Sequence, residues 1–158
     1  MKEIPSFNLS PFDVANWFIC HIDREAGDSI THLKLQKLIY YTQAWALALK
    51  GTSIFQEDFE AWTHGPVIPL IYDHYKHYGF ESIPVCECED SVTAELEEIL
   101  FEVQRVYGEK SARSLELLTH QETPWILARG HLPLEARCTT AISKNNMMEY
   151  YQSLLVSE

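Results

Sequence analysis

Residues 31–50, THLKLQKLIYYTQAWALALK, decide the fold. Thr31 offers an N-cap side chain and Gly51 stops the run, so the stretch reads as one long helix. Leu35, Leu38, Ile39, Thr42, Ala46 and Leu49 recur at helical spacing. Tyr40, Tyr41, Ala44, Trp45 and Ala48 make the other face apolar too. A helix that is apolar nearly all round belongs in the middle of a domain. Its polar exceptions near the start are Lys34, Gln36 and Lys37. Their plain role is to keep the open end of the helix wet, although Lys34 and Lys37, at i and i+3, also have the reach to pair with acids or touch a partner.

Outward from this helix the punctuation is regular. Ser10-Pro11 reads as a cap followed by proline at the first helical position, with Val14, Phe18 and Ile22 on one face and Gly27 as the stop. Residues 54–63 lack helical periodicity and carry Phe55, Phe59 and Trp62, which predicts a short strand. Gly65-Pro66 is read as the opening of a third helix closed by Gly79. Residues 82–88 (SIPVCEC) are read as a second strand paired with the first, at an edge because of Pro84. Ser91 or Asp90 starts a fourth helix, Ser111 a fifth over about 112–120, and Thr123-Pro124 a short one ending at Gly130. Residues 139–142 read as extended, and Ser143 caps a last helix. The expectation is a mainly α protein. One compact helical domain of about six helices with a small antiparallel β element fills residues 1–158, its core at about 10–155.

The charge narrows the partners. Twenty-three acidic side chains against 12 basic ones leave a formal net charge of −11, which opposes direct binding to nucleic acid. It suits a basic protein partner, and equally it is an ordinary aid to solubility. Residues 81–102 hold eight acidic residues and no basic one, read either as the solvated side of the fourth helix or as a docking surface for a basic partner. No apolar run approaches the roughly 18–20 residues that span a bilayer, and the first five residues lack a signal layout. A soluble cytoplasmic protein without membrane contact is expected. Cys20, Cys86, Cys88 and Cys138 are then reduced thiols. Cys86 and Cys88 with His74 and His77 make a conceivable metal set, but lone thiols and surface imidazoles are preferred, so no metal or cofactor is expected.

Two further strings stand out: EAWTHGPVIP at residues 60–69 and LLTHQETPW at residues 117–125. His64 is either a general base or an anchor of the turn, and the structural role is favoured. His120 and Glu122 suit acid–base chemistry if they line a pocket, and suit local capping if they do not. No nucleophile elbow, phosphate-binding glycine loop or His-Glu-x-x-His helix occurs. A small hydrolase or transferase using His64, His120 and Glu122 is therefore the second choice.

Taken together, the three strings resemble the SocA-like Panacea domain of antitoxins, also found in phage-associated, GepA-like proteins. The resemblance rests on Leu33 through Leu38, Tyr40, Tyr41, Gln43 and Trp45. It continues through Glu60, Ala61, Trp62, Gly65, Pro66, Val67 and Pro69, then Tyr72, Lys76, Tyr78 and Gly79. Tyr107-Gly108 leads into its last part, Leu117, Thr119, His120, Glu122, Pro124 and Trp125. It implies a mainly helical domain that neutralises a toxin encoded beside it by direct binding, with no enzymatic activity and no cofactor. It predicts the role and not the target. Lys34, Lys37, Trp62, His64, His120 and Trp125 are the expected contact residues. An adaptor of mobile-element origin that binds a host protein is the remaining alternative.

Overall fold

The computed structural model describes residues 3–85, 87–89 and 91–156. These residues form seven α-helices, α1 (Pro11–His21), α2 (His32–Lys50), α3 (Pro69–Tyr75), α4 (Ala94–Tyr107), α5 (Ala112–Thr119), α6 (Thr123–Arg129) and α7 (Lys144–Val156), with α2 at the centre. Strands β1 (Glu60–Trp62) and β2 (Gly65–Val67) form an antiparallel hairpin between α2 and α3, and a 3-10 turn covers Lys76–Tyr78.

Helix α2 holds the middle, as its composition requires. It packs against α1, α3, α4, α5, α7 and β2. Of its residues only Leu33, Trp45, Leu49 and Lys50 are not buried. Thr31 caps it by accepting the Lys34 N–H, and Gly51 ends it at φ 61°. The polar residues of α2 do not lie in water. Lys34, Gln36 and Lys37 are all buried, which corrects the expectation that they keep the helix start wet.

Two glutamines one heptad apart show what buried polar groups do here. Gln36 donates its amide to the Ile68 carbonyl at 3.1 Å and accepts the Ile68 N–H at 3.0 Å. Gln43 donates to the Phe55 carbonyl at 3.1 Å and accepts the Ile54 N–H at 2.7 Å. Each side-chain amide thus stands in for a strand neighbour, satisfying irregular backbone that would otherwise be buried without partners.

The helix caps follow the sequence in most places. Ser10 and Asp13 form a reciprocal capping box on α1, and Ser111 caps α5. Five expectations change. Helix α1 ends at His21, well before Gly27, and α6 has Glu122 and not Thr123 at its N-cap position. Gly65-Pro66 does not open a helix: both residues lie in β2, and Pro69 is the proline at the start of α3. The turn at Thr63-His64 places Gly65 at φ 106°, a backbone conformation that suits glycine. Residues 82–88 form no strand with β1 where they are described, and Cys86 lies outside the described residues. Instead Ile83 donates to the Ile30 carbonyl, while β1 takes its second neighbour from residues 140–142. There Ala61 N–H donates to Thr140 and Ile142 N–H to Phe59, matching the extended reading of 139–142. The fourth helix starts at Ala94 with Thr93 as cap; Asp90 lies outside the described residues.

The thiol expectation changes as well. Cys20, on α1, is joined to Cys88 by a disulfide across 68 residues of chain, and Cys138 is free and buried. The segment before α4 runs back over α1, where Arg24 donates to the Ile19 and Ile83 carbonyls, so the two cysteines meet. Disulfides typically add about 2–4 kcal/mol. Cys88→Ser should therefore lower stability by about that amount in urea melts without reductant. A digest of the native protein should show the Cys20 and Cys88 peptides joined until reductant is added. Equal stability of both proteins without reductant would contradict the bond.

Candidate functional site

The three strings converge on the β1–β2 hairpin. From one side α2 supplies Gln36, which holds the exit of the hairpin at Ile68, and Lys37, which passes beneath Gly65. A Cβ on Gly65 would lie 2.6 Å from Lys37 Cε and 3.0 Å from Thr119 Oγ1, so a larger residue would have to displace the Lys37 side chain as well as adopt the positive φ. From the other side α6 supplies Trp125 and Arg129, one turn apart. Trp125 Nε1 donates to the Trp62 carbonyl at 2.9 Å, and Arg129 donates to Ala61 at 3.0 Å and to Pro133, Leu134 and Ala136. The Arg129 guanidinium lies over the Trp125 ring, and the His120 ring stacks on the same indole with centroids 4.1 Å apart.

The tip of the hairpin is what this support presents. His64 is exposed, Trp62 and Thr63 are half-buried, and the Trp62 ring packs edge-on against Tyr72. His64 Nδ1–H donates to Glu116 on α5 at 2.9 Å, and Arg113 binds the other carboxylate oxygen.

Behind the tip the electrostatics are unusual. Lys37 is fully buried and its Nζ has no hydrogen-bond partner among the described residues; His32 Nδ1 is likewise buried without one. Burial pulls the Lys37 ammonium down to about 8, with the Glu116 carboxylate opposing. Burial also lowers His32 and His120; the charge of Lys37 adds to this at His32, while Glu116 opposes it at His120. Lys34, lowered by burial, instead donates its ammonium to the Gly108 carbonyl at the end of α4.

Glu122 serves a different cluster. Its Oε1 accepts the Tyr41 and Tyr151 hydroxyls at 2.7 and 2.8 Å, and Tyr40 lies 3.2 Å from Tyr151. Burial raises its carboxyl, and its role is to tie α6 to α2 and α7. The carboxylate beside His64 and His120 is therefore Glu116, which sequence reading passed over. Its position one helical turn before His120 is the signal that would have found it. Of the six expected contact residues, the structure places His64 at the surface, Trp62 and His120 part-buried beside it, and Lys34, Lys37 and Trp125 inside. Among the described residues no three His, Cys, Asp or Glu side chains gather as a metal set, and no helix is long and apolar enough to cross a membrane.

The family described as antitoxin SocA-like, Panacea domain, matches residues 35–126, more than half of the chain. The chain belongs to this family. A curated relative, Antitoxin SocA of Caulobacter vibrioides (strain NA1000 / CB15N), is 40% identical over 50 residues, which cover 32% of this chain and 27% of that protein. The chain thus matches only about a quarter of the relative's length. No solved structure matches. The Panacea match takes in Lys37, the whole hairpin, Glu116, Glu122 and Trp125, while Arg129 and the edge residues 140–142 lie beyond it.

The buried ammonium makes a signed prediction. The unfolded chain holds the Lys37 proton up to about 10.5, whereas the folded one begins to release it near 8. Between those values the unfolded state binds more protons, so stability contributed by this group rises with pH; below about 8 the full cost of burying the charge applies, about 3 kcal/mol. Lys37→Met should be more stable than wild type by about 1–3 kcal/mol at pH 7 in urea melts. The advantage should shrink between pH 8 and 10. A Met variant that is less stable at pH 7 would show that the ammonium is bound favourably.

Proposed function

We propose that this protein is an antitoxin that neutralises a cognate toxin, encoded by a neighbouring gene, through direct and stoichiometric binding in the cytoplasm. Membership of the antitoxin family carries the reading. The use of the conspicuous polar residues supports it: Gln36, Trp125, Arg129 and Glu116 are engaged in holding the hairpin, which is the work of a shaped surface. The contact face in this reading is the hairpin tip, with His64 and Trp62 in front and His120 beside them. Lys34, Lys37 and Trp125 act from behind by fixing the tip's position. A part-buried tryptophan on a braced turn is a residue type that anchors interfaces, and the net charge of −11 favours encounter with a basic partner. A cytoplasmic location opposes a lasting Cys20–Cys88 bond, so in the cell that pair is held as thiols or closes only under oxidation.

Co-expression with the neighbouring gene tests the reading. The neighbour alone should arrest growth and this protein should restore it. With purified components, toxin inhibition should be complete near one antitoxin per toxin. Rescue far below that ratio would point to catalysis, and a neighbour harmless on its own would remove the toxin from the account.

A further inference from the structure

The opposite end of α2 carries a feature that the hairpin does not explain. Trp45 and Leu49 on α2, Ile99, Val103 and Val106 on α4, and Leu155 on α7 line an open groove of about 480 Å³. Its apolar walls are accessible: Leu49, Val106 and Leu155 are 53%, 45% and 43% exposed. Ile99, Val103 and Val106 follow i, i+4, i+7 spacing, about 10 Å at 1.5 Å per residue, with Ile99 and Val103 buried as the floor and Val106 exposed at its edge. That is the length of a two-turn apolar anchor. Trp45 is held rigid, because its Nε1 donates to the Tyr107 hydroxyl at 3.0 Å and Tyr107 stacks on Tyr41.

The rim decides the occupant. Glu98 and Glu102 edge the groove along α4, with Lys50 across from them. Lys50 is paired with Glu95 and Glu102 with Arg105, while Glu98 is exposed and has no ion-pair partner among the described residues. A second copy of this chain would bring another acidic rim and another net charge of −11 against this one. An amphipathic helix with an apolar stripe and a basic flank meets both the floor and the free carboxylate.

We propose that this groove between α2, α4 and α7 binds a basic amphipathic helix of the partner protein, as a second contact distinct from the hairpin tip. The identity of that partner as the toxin rests on the function proposed above; the chemistry of the groove does not. Two arms keep these apart. In the first, the whole protein is titrated with a synthetic amphipathic Leu/Lys helix and with its Leu/Glu counterpart, read by tryptophan fluorescence with Trp45→Phe as control. The Leu/Lys helix should bind about tenfold tighter or more. Leu49→Lys and Val106→Lys, both in last helical turns that accept a lysine, should each weaken it by about tenfold while the melting temperature holds. Glu98→Lys should weaken it less. In the second arm the same variants are co-expressed with the neighbouring toxin and should lose rescue.

Peptide binding unaffected by Leu49→Lys and Val106→Lys overturns the groove. So does concentration-dependent dimerisation that Val106→Lys abolishes, which would make the occupant a second copy. If wild type rescues and the groove variants rescue equally, the groove inference fails and the antitoxin reading stands. If wild type itself does not rescue, the antitoxin reading fails, and the peptide arm still decides the groove.

Discussion

Burying a helix nearly all round puts a cost on every polar side chain that it carries unless a partner is found inside the domain. Helix α2 solves this at four places. Gln36 and Gln43 complete the hydrogen bonding of two irregular segments, Lys34 closes the end of α4, and Thr42 turns back on Leu38 of its own helix. Lys37 Nζ and His32 Nδ1 are the exceptions, buried without a hydrogen-bond partner among the described residues. The arrangement has a consequence for the whole domain. Loops that would be loose in isolation are tied to the most buried element, so the small hairpin and the chain around residue 54 inherit the rigidity of the core.

The hairpin shows how that rigidity reaches the surface. Two short strands are not stable alone. This pair is clamped on one side by α2 and on the other by Trp125 and Arg129, with residues 140–142 along its open edge. Gly65 is the point where those demands meet: its positive φ makes the turn, and its missing Cβ leaves room for Lys37 and Thr119. What emerges is a fixed tip bearing His64, held by Glu116. Trp62, Gly65 and Trp125, from the two later strings, are parts of this clamp, whereas Glu122 joins α6 to α2 and α7.

Much of the fold was legible because its signals are local. Caps at Ser10, Thr31 and Ser111, stops at Gly51 and Gly130, and the two-sided apolar character of α2 each depend on neighbours within a few residues. The errors came where tertiary contacts choose between local options. Pro66 and Pro69 both fit a helix start, and the turn at Gly65 settles which one is used. Residues 82–88 have strand composition, but Pro84 lacks an N–H and β1 finds its neighbours elsewhere. Lys34 and Lys37 looked solvated because periodicity cannot reveal that α4 and the hairpin close over them. For the same reason the pairing of His64 with Glu116, rather than with Glu122, is a property of the packing of α5 against the hairpin. The groove at the far end of α2 was present in sequence only as an acidic helix, its apolar floor being contributed by three separate segments.

Amide hydrogen exchange at Ile68 and Ile54 tests the central claim most directly, because among the described residues those two N–H groups are bonded to the side chains of Gln36 and Gln43 and to nothing else. Native-state exchange should protect both amides to about the level of the buried α2 amides, by factors of roughly 10³ or more. Gln36→Leu should release Ile68 while leaving Ile54 protected. Exchange of both amides at the speed of exposed loops in the wild-type protein would contradict the account.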